Sequence, residues 1–190
     1  MTEQSNLKIF ISHSSEDSDL AKAVINLIRS ALGISAEKIR CTSVNGYKLR
    51  VGANTEEHLR KEIFETDILI ALITQDSYKS TFAMFEMGAR WGAKRPILPL
   101  LGPEIEPSSL TPPLSNIHAL KSNDRQELHQ FLSDLENYLE YEKNDPQVYT
   151  NEIDKIINYD NSEVYSDKIS SNSLSYSRIY EIAKRVLYSN

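Results

Sequence analysis

Asp67-Ile-Leu-Ile-Ala-Leu-Ile-Thr74 is followed closely by Phe82-Ala-Met-Phe-Glu-Met-Gly-Ala-Arg-Trp91. The first segment is short, rich in Ile and Leu, and does not alternate. It reads as a strand buried on both faces. The second segment has helical period, and a helical wheel puts Phe82, Ala89 and Ala93 on the same face as Glu86. A carboxylate on the apolar face of a helix costs free energy unless something pairs with it. This one stands near the C-terminal end of a buried strand, where open α/β sheets place their ligand sites. Arg90, one turn later, keeps a second reading open, an exposed i,i+4 ion pair.

Outward from this pair the alternation of strand and helix continues. Leu7-Lys-Ile-Phe-Ile-Ser12 is a short strand that runs into the polar loop His13-Ser-Ser-Glu-Asp17. Ser14 or Ser15 suits a helix cap there, with acidic residues in the first turn. Leu20, Val24, Leu27, Ile28 and Ala31 form a helical stripe that Gly33 ends. Lys38-Ile-Arg-Cys-Thr42 is a second strand, and Asn45-Gly46 marks a turn in the loop after it. Asn54 or Thr55 then caps a helix to about Phe64, with Leu59, Ile63 and Phe64 as its apolar side. Pro96-Ile-Leu-Pro-Leu-Leu101 is a fourth strand whose prolines predict an edge or irregular position. Asn116-Ile-His-Ala-Leu120 is a weak fifth strand. Asp124 and Glu127 read as a reciprocal capping pair before the stripe Leu128, Phe131, Leu132, Leu135 and Leu139. Five strand–helix alternations imply an α/β fold, an open and mostly parallel sheet with helices on both faces.

The C-terminal part differs in character. Asp145-Pro146 predicts a cap with proline at the first helical position. Tyr149, Ile153, Ile156 and Ile157 suit a short amphipathic helix. Residues 160–175 are rich in Ser, Asn and Asp, and Tyr176, Ile179, Tyr180, Ala183, Val186 and Leu187 make a last apolar stripe. Eight of the ten tyrosines lie after residue 137, so this extension needs a surface to pack on, either the sheet domain or another copy.

Composition excludes several classes. The 190 residues carry a net charge of −6, which argues against general nucleic-acid binding. No apolar run approaches the ~20 residues that span a bilayer, and the polar N-terminus has no signal-peptide core. The single cysteine, Cys41, excludes an internal disulfide. Four scattered histidines show no ligand spacing. The expectation is a cytoplasmic protein without a metal.

Three segments in order carry a resemblance. Lys8-Ile-Phe-Ile-Ser-His-Ser-Ser-Glu-Asp17 resembles the opening strand and loop of TIR (Toll/interleukin-1 receptor) domains. Cys41-Thr-Ser-Val-Asn-Gly-Tyr-Lys-Leu-Arg-Val-Gly52 resembles their BB loop in its bacterial form. Ser77-Tyr-Lys-Ser-Thr-Phe-Ala-Met-Phe-Glu86 is similar to the segment in which TIR enzymes carry a catalytic glutamate, with an aromatic residue four positions before it. Phe82 holds that place here. The resemblance covers roughly residues 7 to 140 and implies a flavodoxin-like fold with a five-stranded parallel sheet. It divides the chain into a TIR domain, 1–142, and a C-terminal helical extension, 143–190.

The family is split between scaffolds that signal by assembly and enzymes that cleave NAD+ at the nicotinamide–ribose bond. Glu86 implies the enzymes, with NAD+ as substrate and no cofactor. The resemblance further implies ADP-ribose or a cyclic or modified ADP-ribose as product. It also implies an antiphage setting of the Thoeris type, a separate effector reading the product, and self-association through the BB loop. The dinucleotide is expected across the C-terminal edge of the sheet, with Ser12 and His13 ending the first strand and Thr42 and Ser43 ending the second. Phe82 is expected to pack beside Glu86, and Arg40, Lys48 and Arg50 are the cations nearest a diphosphate. For the histidine and the cations, simple solvation is the competing reading. Trp91 is expected in the core, and Cys41 as a buried packing residue. Two alternatives remain open, a non-enzymatic TIR interaction module and an enzyme similar to nucleoside deoxyribosyltransferases.

Overall fold

The apolar segments assemble into one parallel five-stranded sheet in the computed structural model, which describes residues 7–47 and 55–159. The strands are β1 (Ile9–Ser12), β2 (Ile39–Cys41), β3 (Ile68–Ile73), β4 (Ile97–Leu101) and β5 (Leu120–Lys121). The helices are α1 (Ser18–Leu32), α2 (Thr55–Glu65), α3 (Gln75–Lys79), α4 (Thr81–Gly92), α5 (Arg125–Leu139) and α6 (Pro146–Ile157). The spatial order is β2-β1-β3-β4-β5. The chain steps from β1 outward to β2, then returns past β1 to β3. That reversal opens a crevice at the C-terminal ends of β1 and β3.

Both faces of the sheet are covered, which is why its strands do not alternate. Ile9, Ile11, Ile39, Cys41, Ile68 and Ile70 face a core shared with α1, α5 and α6. Phe10, Leu69, Ala71 and Ile73 face a second core, with Leu59 and Ile63 of α2 and Ala83 and Met87 of α4. Gly33, at φ +62°, closes α1 in the left-handed conformation, its N–H donating to Arg29 O. Pro146 begins α6 behind its Asp145 cap, and Tyr149, Ile153 and Ile156 are buried. Helix α6 packs against α1 and α5, within the same compact unit as the sheet. The predicted stripe from Tyr176 to Leu187 and the cap expected at Asn54 or Thr55 lie outside the residues whose side chains are described.

Several expectations need correction. Strand β4 is interior in the sheet order. Gly102 N–H donates to Ile73 O at 2.8 Å. By alternation, position 99 therefore turns toward β5, and β5 pairs only with Leu100 and Leu101. The missing N–H of Pro99 thus breaks no ladder bond. The fifth strand is Leu120–Lys121 rather than Asn116–Leu120, because Leu114–Asn116 closes a 3₁₀ turn first. Asp124 caps α5 by accepting from the Gln126 and Glu127 N–H groups. Glu127 does not reciprocate; its carboxylate accepts from Lys121 N–H and ties the helix to β5. On α2, Phe64 is 42% exposed, and Glu62 takes an inward place at 3%.

Helix α4 is rolled relative to expectation. Its buried face is Ala83, Glu86, Met87 and Arg90, while Phe82 is 57% and Trp91 54% exposed. Arg90, fully buried, explains the roll. Its guanidinium donates to Ile63 O, Thr66 O, Asp67 O and Pro96 O at 2.8 to 3.1 Å. It thereby closes the carbonyl end of α2 and joins α4 to the entrances of β3 and β4. Burial lowers its pKa to about 10, which leaves it charged at neutral pH. Arg90→Met is expected to strand these carbonyls and lower stability by roughly 3 kcal/mol, about 10 °C in Tm. A Tm within about 2 °C of wild type would refute this account.

Candidate active site

Register brings the predicted polar residues to one end of the sheet. Ser12 ends β1 opposite Ala71 of β3. It follows the alternation of Phe10, on the face covered by α4, and lies next to Glu86. Both are buried, Ser12 at 1% and Glu86 at 4%. Neither Ser12 Oγ nor Glu86 Oε1 has a hydrogen-bond partner. Burial pushes the Glu86 carboxyl up to about 7, and the neighbouring Ser12 hydroxyl only tempers this rise. The hydroxyl is thus close enough to act on the charge without reaching hydrogen-bond geometry. No cation among the described residues pairs with Glu86. The exposed Glu86–Arg90 pair is excluded, because Arg90 is occupied by carbonyls.

His13, 8% exposed, is not a solvated loop residue. Its Nδ1 lies 3.3 Å from Ile11 O, and its Nε2 contacts Ser43 Oγ. A carbonyl only accepts, so Nδ1 carries the proton and Nε2 accepts from the serine. Burial lowers the His13 pKa against the opposing effect of the Ile11 carbonyl, so the ring is neutral at pH 7. Cys41 Sγ lies 3.7 and 3.8 Å from the two ring nitrogens. Burial raises the thiol to about 11, with Glu86 a minor contributor in the same direction. Cys41 is therefore a packed thiol and no nucleophile. Ser12 and Glu86 thus stand together on the α4 face at the end of β1, while His13, Cys41 and Ser43 cluster at the ends of β1 and β2, near enough for Glu86 to act on the thiol.

The remaining predicted residues fall elsewhere. Arg40 alternates onto the α2 face and holds Glu62 with two parallel bonds, Nε–Oε2 at 2.6 Å and a second nitrogen to Oε1 at 2.5 Å. It also donates to Tyr47 O at 3.2 Å, so its guanidinium joins β2 to α2. Thr42 is half-buried beside Ser43. Phe82 is exposed and does not dry Glu86 as expected. Lys48 and Arg50 lie outside the described residues. Sequence reasoning missed Asp17 and Thr74, both buried, whose 2.6 Å hydrogen bond ties the loop after β1 to the end of β3. The signal was present: Asp17 closes the polar loop and Thr74 ends the apolar run.

With this geometry established, comparison assigns the family. The TIR domain family matches residues 9–135, and the chain belongs to it. The TIR domain of the Toll-related receptor TRR-2 from Hydra magnipapillata superposes with a TM-score of 0.53 at 19% identity, covering 70% of this chain and 97% of that one. At that identity the likeness concerns the fold alone. The uncharacterized protein YddK of Bacillus subtilis is 33% identical over 84 residues, 44% of this chain and 31% of YddK. The chain thus aligns with less than a third of that relative's length. Among the described residues no helix is long and apolar enough to cross a membrane, and no group of acidic, His and Cys side chains could hold a metal.

The raised carboxyl has a consequence for stability. With a folded pKa of about 7 against 4.5, the native state holds a proton that the unfolded chain has lost. Stability is therefore fully present below about 4.5 and declines as pH rises to about 7, by roughly 3 kcal/mol in all. Glu86→Gln should raise Tm at pH 8 and change it little near pH 4.5. Equal Tm differences at both values would refute an uncompensated buried carboxylate.

Proposed function

We propose that this chain is a TIR enzyme that cleaves the nicotinamide–ribose bond of NAD+, with Glu86 as its catalytic residue. The observation that carries this reading is a buried carboxylate without a countercharge, beside an unpartnered serine hydroxyl, at the crevice between β1 and β3. Such an anion is complementary to a positive ligand. The pyridinium nitrogen of NAD+ carries positive charge, and as the C1′–N bond lengthens that charge moves onto the ribose. The bond's electron pair leaves with nicotinamide, which departs neutral and needs no acid. Water then bonds to C1′ and releases one proton to solvent, or another nucleophile bonds there to give a cyclic or exchanged product. Glu86 stabilises the cationic sugar electrostatically. The Ser12 hydroxyl and the neutral His13 ring, oriented by Ile11 O and Ser43, line the ribose side. The biological reading that goes with this chemistry is antiphage defence, with a separate effector taking up the product.

In this reaction the ionised Glu86 is the working form. Concentrated protein should release nicotinamide from NAD+, and Glu86→Gln should reduce release by at least ~10³-fold without loss of fold. The kcat/KM of the wild type should rise with pH to a plateau above about 7. An active Gln variant, or a profile flat through that range, would remove Glu86 from the mechanism. Chromatography with mass spectrometry of the second product would distinguish hydrolysis from cyclisation or base exchange.

TIR domains commonly self-associate, and we infer that the loop of residues 42–52 contributes to a neighbour's site. Specific activity is then expected to rise with protein concentration, and a dilution-independent value would contradict it. A second reading, a non-enzymatic interaction module, draws on the exposed aromatic face of α4. A chain inert toward NAD+ at high concentration that still binds a TIR partner would favour it.

A further inference from the structure

Helix α4 is amphipathic in reverse. Its two ionisable side chains, Glu86 and Arg90, are buried, while Phe82, Met84, Phe85 and Trp91 are exposed at 57, 39, 74 and 54%. Its outer face carries no charge from Thr81 to Gly92. Gly88 and Gly92 lie between the large side chains on that face. A Cβ at either would meet nothing within 4 Å. Nothing in the described packing requires glycine, and each weakens the helix relative to alanine. One groove lies on the face itself, lined by Tyr78, Met84, Phe85 and Gly88, and a second lies at its C-terminal end, lined by Trp91, Ile97 and Ile117.

We propose that this face is the contact between two copies of the chain, related by a two-fold axis through Gly88. A two-fold contact must be complementary to itself, and this sequence is. With the helices antiparallel about Gly88, Met84 stands opposite the partner's Gly92 and Phe85 opposite the partner's Trp91. Large side chain meets gap at one pair, and aromatic meets aromatic at the other. Gly88 meets its own copy, where the absence of side chains lets the backbones approach closely. Charges also fit. The cations Lys79, Lys94 and Arg95 all lie beyond the ends of α4, so they rim the contact and stay out of its centre. The three exposed aromatic side chains alone present on the order of 400 Å². With Met84, the glycine strip and the groove walls, the face approaches the ~800 Å² that each partner of a stable dimer contributes. A membrane surface would also accept aromatics within a basic rim. The two-fold match, the vacant glycine strip and the chain's net charge of −6 favour a second copy. Because α4 carries Glu86 on its inner side, the contact would steady the helix on which the site rests.

Sedimentation equilibrium of the full chain, from about 1 μM to about 500 μM, tests this without any turnover of NAD+. It therefore stands or falls separately from the proposed activity. The wild type is expected to dimerise. Phe85→Glu and Gly88→Leu should each weaken the dimer at least ~100-fold, and Gly88→Leu should leave Tm unchanged or higher, since it fills open space and removes a helical glycine. Tyr138→Glu, on α5, should leave the dimer intact. Gly88→Cys should oxidise to a covalent dimer across the axis, and Asn137→Cys should not. The proposal is overturned by a chain that stays monomeric throughout, including one that binds anionic vesicles instead. It is equally overturned by a dimer indifferent to Phe85→Glu and Gly88→Leu.

Discussion

The structure depends on where one guanidinium is buried. Arg90 is fully enclosed and is satisfied by carbonyls rather than by a carboxylate. Four backbone segments converge on it: the end of α2, the turn into β3, the residue before β4, and α4 itself. An arginine held this way fixes the rotation of its helix about its own axis, because its planar fork cannot follow a roll without losing several bonds together. Glu86 lies one turn earlier on the same face. The side chain that sets the register of α4 therefore also aims the carboxylate at Ser12. Removing Arg90 would disturb the site as well as the scaffold.

The candidate site is built against stability. Ser12 Oγ and Glu86 Oε1 are buried without partners, and the carboxyl is pushed up to about 7 by desolvation alone. Natural cores rarely tolerate two adjacent orphaned polar atoms. Arg40 of β2 and Glu62 of α2 show the ordinary solution, a half-buried cation bound through two parallel bonds to a buried anion. The contrast between Glu62, neutralised, and Glu86, without a countercharge, separates the structural carboxylate from the one for which we propose a ligand. His13 has the same logic in neutral form, since both of its ring nitrogens are occupied and its orientation is settled before any ligand arrives.

Much of this was legible in the chain. The non-alternating runs at 68–73 and 97–101, the caps at Asp124 and Asp145, and Gly33 each carry a local signal, and each sits as read. The burial of Glu86 near the C-terminal end of a strand followed from its place just after the apolar run 67–74. The roll of α4 was not legible. A hydrophobicity wheel assigns Phe82 and Trp91 to the interior because they are large and apolar, and it has no means of knowing that Arg90 has carbonyls to reach. Phe64 and Glu62 on α2 are exchanged for the same reason, with Arg40 as the hidden partner. Pro99 misled in another way. Proline is barred only from a position whose N–H is needed, and a two-residue neighbour leaves that position free.

The errors on α2 and α4 share a cause that bears on how α4 works. In each case a charged side chain is buried because it has a specific partner or is kept for one, and an aromatic side chain is displaced outward. On α2 the exchange is local, one phenylalanine for one glutamate. On α4 it runs the length of the helix, with Glu86 turned to the end of β1, Arg90 to the entrances of β3 and β4, and the apolar outer face exposed. Exposed aromatic area of this extent opposes folding unless it is covered. The inward side holds a buried carboxylate without a countercharge, for which we propose a cationic ligand, and the outward side carries the exposed aromatics for which we propose a second copy.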